Sequence, residues 1–182
     1  QRQMCIRDSV SLIPRLYDTD SGEVLVDGRN VRDYSLYDLR EGVSMVLQQN
    51  VLFSGTVAEN LRWGNEAATD EELRSAAGAA QADSFVSAFS DGYDHLIDRG
   101  GANVSGGQKQ RLCIARALLK LPRILILDDS TSAVDTATEK RIREACGDYL
   151  EGATKIIIAQ RISSVREADM IAVMNEGRIT GV

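Results

Sequence analysis

The sequence predicts an α/β domain built on a parallel sheet, and three observations carry that prediction. The strand segments at residues 43–47, 124–127 and 155–159 are largely apolar without alternation, with continuous runs from Ile124 to Leu127 and from Ile156 to Ala159, as strands covered on both faces are. Segments with helix-start signals lie between them. Strand and helix signals alternate along the chain, the order expected of a sheet with helices on both sides.

Residues 1–9 show neither an apolar secretory core nor a clear period. From Val10 to Tyr17 the chain reads as the second half of a helix, followed by an open turn through Gly22. A strand at 23–26 is closed by the Asp27–Gly28 turn, and a second at 43–47 ends at Gln48–Gln49. Thr56-x-x-Glu59, Thr69-x-x-Glu72 and Thr136-x-x-Glu139 each match a capping box, in which hydroxyl and carboxylate satisfy unpaired helix N–H groups. The Ala-rich stretch 71–89 favours helix and marks a helical subdomain over about 69–105. A helix over about 106–120 is stopped by Pro122. The helix opened at Thr136 reaches about Leu150, a short helix lies near Ser164, and a strand at 170–174 turns at Asn175–Gly177 into a last one.

Length and composition narrow the function. A chain of 182 residues with 43% hydrophobic residues buries a sizeable core as one domain. A net charge of −6 argues against a sequence-independent nucleic-acid binder, which needs a basic face. No apolar run approaches the roughly 20 residues that span a bilayer. Cys5, Cys113 and Cys146 show no metal or disulfide spacing, which fits a reducing compartment. With His95 as its one histidine, the chain has little support for a multi-histidine metal site.

Two patterns carry chemistry. In Ser105-Gly106-Gly107-Gln108 the serine can cap a helix while the glycines let backbone N–H groups approach an anion at the positive end of the helix dipole. Downstream, Asp128 ends the buried strand 124–127, where open α/β sheets bind ligands and where phosphoryl-transfer sites support Mg²⁺.

Here the chain resembles the ATP-binding-cassette family. Ser105 to Gln108 match its signature, Asp128 its Walker B aspartate, and Ser132-Ala133-Val134-Asp135 its D-loop. Gln48 matches the Q-loop glutamine, and Asp98-Arg99-Gly100 is similar to the exporter X-loop; residues 50–62 look typical of exporters. The resemblance implies a P-loop NTPase-like domain with a parallel sheet core, a partial antiparallel β subdomain and a helical subdomain. It implies ATP and Mg²⁺ as cofactors, with Asp128 and Gln48 toward the metal. Ser105, Gly106, Gly107, Gln108, Gln48 and Asp135 would face the nucleotide, and Asp129 and Gln160 would take the catalytic positions. The implied partners are a second nucleotide-binding domain, paired head to tail, and transmembrane segments at the cytoplasmic face of the cell membrane.

Three departures qualify the match. The phosphate loop G-x-x-x-x-G-K-[ST] is absent, and no glycine occurs before Gly22. Residues 1–9 are therefore expected to be a non-native leader on a nucleotide-binding domain, residues 10–182, that is incomplete at both ends and inactive in isolation. Asp129 stands where the family has glutamate, withdrawing the base by roughly 1 Å, a displacement that can cost about 100-fold in rate. Gln160 stands in the switch-histidine position and cannot become a cation. Together these suggest the degenerate half of a heterodimeric exporter. Two rivals remain open, a non-hydrolytic regulatory module and a soluble cassette ATPase. Trp63 and Tyr17 are read as packing aromatics rather than nucleotide-stacking ones, and Tyr93, His95 and Arg99 as loop or interface residues.

Overall fold

The computed structural model describes residues 2–129 and 133–182. Helix α1 spans Arg2–Ser11, so it lies earlier than the helix read at 10–17. Its stop has a local cause: Pro14 lacks an N–H, Arg15 adopts a positive φ of 52°, and the Leu16 N–H turns back to the Ser11 carbonyl at 3.0 Å. Strands β1 (Leu25–Val26) and β2 (Arg29–Asn30) form an antiparallel hairpin. Asp27 and Gly28, at φ 51° and 72°, supply the two left-handed residues such a two-residue turn requires. Helix α2 (Leu36–Glu41), capped by Ser35, leads into β3 (Val43–Val46).

The short strand β4 (Gly55–Thr56) precedes α3 (Val57–Arg62), and α4 (Asp70–Ala79) and α5 (Asp83–Val86) form the helical subdomain. The boxes at Thr56/Glu59 and Thr69/Glu72 are both closed. Strand β5 (Leu96–Ile97) pairs antiparallel with β4 and brings the chain to α6 (Gly106–Leu119). Then come β6 (Ile124–Asp128), α7 (Thr136–Tyr149) and β7 (Thr154–Ile158). Helix α7 departs from the sequence reading: Asp135, not Thr136, caps it, accepting the Thr138 N–H at 3.0 Å. A 3-10 turn covers Ile162–Ser164, and β8 (Val173–Asn175) starts later than residue 170 before pairing with β9 (Arg178–Gly181).

The central sheet is parallel in the order β3-β6-β7, with Met45 beside Ile126 and Ile126 beside Ile156. Successive side chains on a strand point to opposite faces. On one face of β6, Leu125 and Leu127 enter the main core with Leu112, Ile114, Leu118 and Ile142. On the other, Ile126 joins Val10, Val43 and Ile158, with Ile6 of α1 packed against them. Each such buried aliphatic side chain contributes about 1.5–3 kcal/mol. Asp128 continues the register of Ile124 and Ile126, so it emerges on the α1 face. Helices α3 and α4 pack on α6, whose Leu112, Ile114, Ala115 and Leu118 are fully buried.

Asn60 and Arg116 bind the exporter-like stretch to this frame. Asn60, 1% exposed, spans the Phe53 N–H and the Phe53 and Thr56 carbonyls, while Arg116 donates to the Asn60 and Val51 carbonyls. Arg116 is largely desolvated, which lowers its pKa. Next to them, a Cβ on Gly64 would lie 2.1 Å from the Arg116 carbonyl oxygen, so only glycine fits.

Candidate functional site

The structure gathers the sequence-predicted residues into two groups. The first lies at the carboxyl edge of the sheet, where each residue follows or ends a parallel strand: Gln48 after β3, Asp128 and Asp129 at the end of β6, Gln160 after β7. Asp129 has a positive φ of 46°, and its N–H donates to the Ile158 carbonyl at 2.9 Å, which fixes the start of the loop. Its Oδ2 accepts from Gln160 Nε2 at 2.8 Å and Gln48 Nε2 at 3.3 Å. Asp128, 2% exposed, lies beside Arg7 of α1. Arg7 Nε is 2.7 Å from Asp128 Oδ2, an ion pair whose N–H is not aimed at the oxygen, and an Arg7 terminal nitrogen donates to Gln48 Oε1 at 2.5 Å.

Asp128 Oδ1 is buried without a hydrogen-bond partner among the described residues. An unsatisfied buried carboxylate oxygen is costly and calls for a cation or donor. Asp128 and Gln48 both offer hard oxygens and both hold the Arg7 guanidinium, so this position attracts positive charge. That donor set fits Mg²⁺, which takes one or two carboxylates and completes its shell with water and phosphate. Among the described residues no group of three or more His, Cys, Asp and Glu gathers, so a site closed by protein ligands alone is not built here.

The second group surrounds the N-terminus of α6. Ser105 caps the helix: its Oγ accepts the Gln108 N–H at 3.2 Å, and Gln108 Oε1 accepts the Ser105 N–H at 2.8 Å. Ser105 and Gly106 are exposed. A Cβ on Gly107 would lie 3.0 Å from the Ala133 carbonyl oxygen, so that glycine permits a close backbone approach. Buried Gln110 accepts the Ala133 N–H at 3.0 Å and ties this loop to α6. The helix tip, Arg111, Asp135 and Thr138 line a pocket of about 420 Å³. The Asp135 carboxyl is held below its ordinary pKa by the Thr138 side chain and then by the Thr138 backbone N–H. Burial lowers Arg111, with Asp135 opposing. Ser132, the first D-loop residue, lies outside the described residues.

Sequence reasoning missed Arg7, Gln110 and Arg161, and it read Glu139 only as a capping-box carboxylate. Arg7 sits in a stretch without period, and only the crossing of α1 over the sheet brings it to Asp128. The other flagged residues serve locally: Trp63 packs against Phe53 in a tilted pair with ring centroids 4.8 Å apart, Tyr17 is exposed, and Tyr93 donates to Asp83 at 2.7 Å. His95 stacks on Phe89 and pairs with Asp91 at 2.9 Å, and Arg99 is exposed.

The ABC transporter family pattern matches residues 9–132, which leaves most of α1 outside the match. The chain is 46% identical over 174 residues to an ATP-dependent lipid A-core flippase of Hahella chejuensis, covering 95% of this chain and 30% of that protein. It is 47% identical over 170 residues to a putative multidrug export ATP-binding/permease protein of Bacillus subtilis, covering 93% and 29%. The solved structure of a bacterial Atm1-family ABC exporter with ATP bound superposes with a TM-score of 0.92 at 35% identity, over 96% of this chain and 31% of that one. The chain thus spans under a third of the length of these three relatives. With sequence and fold shared over nearly its whole length, the chain belongs to the ABC transporter family, as an ATPase nucleotide-binding domain of the exporter type.

Proposed function

We propose that this domain powers export across a membrane by binding Mg-ATP between two nucleotide-binding domains, in a full-length protein whose transmembrane segments hold it at the cytoplasmic face of the cell membrane. Among the described residues no helix is long and apolar enough to cross a membrane. The observation that carries the reading is the exposed, closed cap of α6. Ser105, Gly106 and Gly107 present the positive end of a 14-residue helix at an open pocket, the arrangement that receives phosphate. This tip would serve ATP held by a second domain, head to tail. Asp128 and Gln48 would hold Mg²⁺, which supplies charge neutralisation to the phosphates when bound.

The domain's own site reads as degenerate, which implies a heterodimer. Asp129 is a shorter base than glutamate, and its Oδ2 is engaged by the side-chain amides of Gln160 and Gln48. Gln160 can donate a hydrogen bond to a phosphate oxygen but brings no positive charge. In the full-length assembly, Gly106→Glu is expected to bring phosphate release close to background, whereas Asp129→Asn changes it little. The reverse ranking overturns the degenerate-site reading.

A second reading, a regulatory subunit that binds nucleotide without turnover, draws on Arg7, which fills the place of a cation beside Asp128. It requires phosphate release to be insensitive to Gly106→Glu. A soluble cassette ATPase is disfavoured by the exporter-like stretch 50–62 and by the exporter relatives.

A further inference from the structure

We propose that Glu139 is a positioning residue for Gln160, acting through Arg161 along one face of α7. The inference deepens the reading above and rests on it, because it assigns Gln160 to the phosphate side of the site.

Glu139 lies in the first turn of α7 and is 3% exposed. A helix N-terminus favours a carboxylate, but a carboxylate taken out of water calls for a cation beside it. With Asp135 capping the helix, the Glu139 side chain is released from the capping role its spacing suggests. Arg161 Nη1 lies 3.9 Å from Glu139 Oε2, with side-chain exposures of 51% and 5%. The arginine therefore reaches in from solvent to cover a buried charge. At that distance the contact is Coulombic rather than a hydrogen bond.

Arg161 is the chain neighbour of Gln160, whose carboxamide donates to Asp129 Oδ2. A second contact reinforces the first. Arg143, four residues after Glu139 and so on the same helix face, donates to the Ser164 carbonyl and lies 4.0 Å from Glu167. Helix α7 thus grips the segment after Gln160 at two places, while its first turn hangs from Asp135, which lines the pocket at the tip of α6. A rigid helix joins the two site groups, and Glu139–Arg161 is its link to the one at the sheet edge.

The test is the side-chain carboxamide signal of Gln160 in ¹⁵N-labelled full chain, assigned by its loss in Gln160→Leu. Glu139→Gln keeps volume and removes charge; Arg161→Gln removes the cation at a half-exposed position that does not endanger folding. Both are expected to move the Gln160 carboxamide resonances to those of a solvated glutamine while the amides of Leu125 and Ile126 stay in place. Arg161→Lys should restore the parent signal, which a purely structural loss would not. A folded Arg161→Gln whose Gln160 signal coincides with that of the parent overturns the proposal, whatever Glu139→Gln does. The measurement needs no nucleotide, so it can fail while the hydrolysis ranking holds, and the reverse.

Discussion

The tip of α6 and the carboxyl edge of the sheet are built in opposite ways. At the tip, Ser105 and Gln108 satisfy each other within four consecutive residues, and the helix behind them stands on a fully buried stretch. At the edge, Gln48, Asp128, Asp129 and Gln160 come from three strands and meet only through the fold, and one Asp128 oxygen is left without a partner. The tip is complete before any ligand arrives. The edge is balanced by Arg7, a borrowed cation, and is the group whose state a ligand can change.

The largest effect tests what makes the tip rigid. Ile114→Ala in the buried middle of α6 should cost about 2–5 kcal/mol, read from urea unfolding; a loss well below that would mean the tip does not depend on the core beneath it. Next comes the edge. Arg7→Ala should free Asp128 and Gln48 and raise Mn²⁺ affinity by about tenfold, about 1.4 kcal/mol, measured by electron paramagnetic resonance on the chain. Unchanged affinity would show that Arg7 does not stand in the metal's place.

Smaller still, Ser105→Ala removes the cap and should cost about 1 kcal/mol, lowering the melting temperature by about 2–4 °C in a domain of this size. The smallest effect is the pH dependence of the Asp135 cap. Its folded pKa is depressed, so its contribution is complete above the unfolded carboxylate pKa of about 3.9 and disappears as pH falls through the lower folded value. Asparagine caps equally well. The melting temperature of the parent should therefore fall more steeply than that of Asp135→Asn as pH drops below about 4; parallel curves would place the cap's stability elsewhere.

What the sequence made legible follows the same division. The buried strands, the α6 cap and the boxes at Thr56 and Thr69 are local patterns, and each is found within about two residues of its expected place. The cap of α7 was misplaced by one residue because Asp135 and Thr136 are both good caps, and only the backbone shows that Asp135 stays outside the helix. Helix α1 was read too late because its residues lack an apolar stripe; packing against the sheet, not propensity, holds it. Arg7 and the Glu139–Arg161 contact were invisible for the same reason, since their partners are far away in sequence.

The two-faced packing of β6 sets a strict reading frame for the chemistry. Isoleucines face α1 and leucines face α6, so Asp128 reaches its place only by parity along the strand. Deleting or inserting one residue between 124 and 127 would turn the carboxylate over into the hydrophobic layer under α6, away from Gln48 and Arg7. A conservative exchange of side chains here is a matter of degree, whereas a change in length by one is all or nothing.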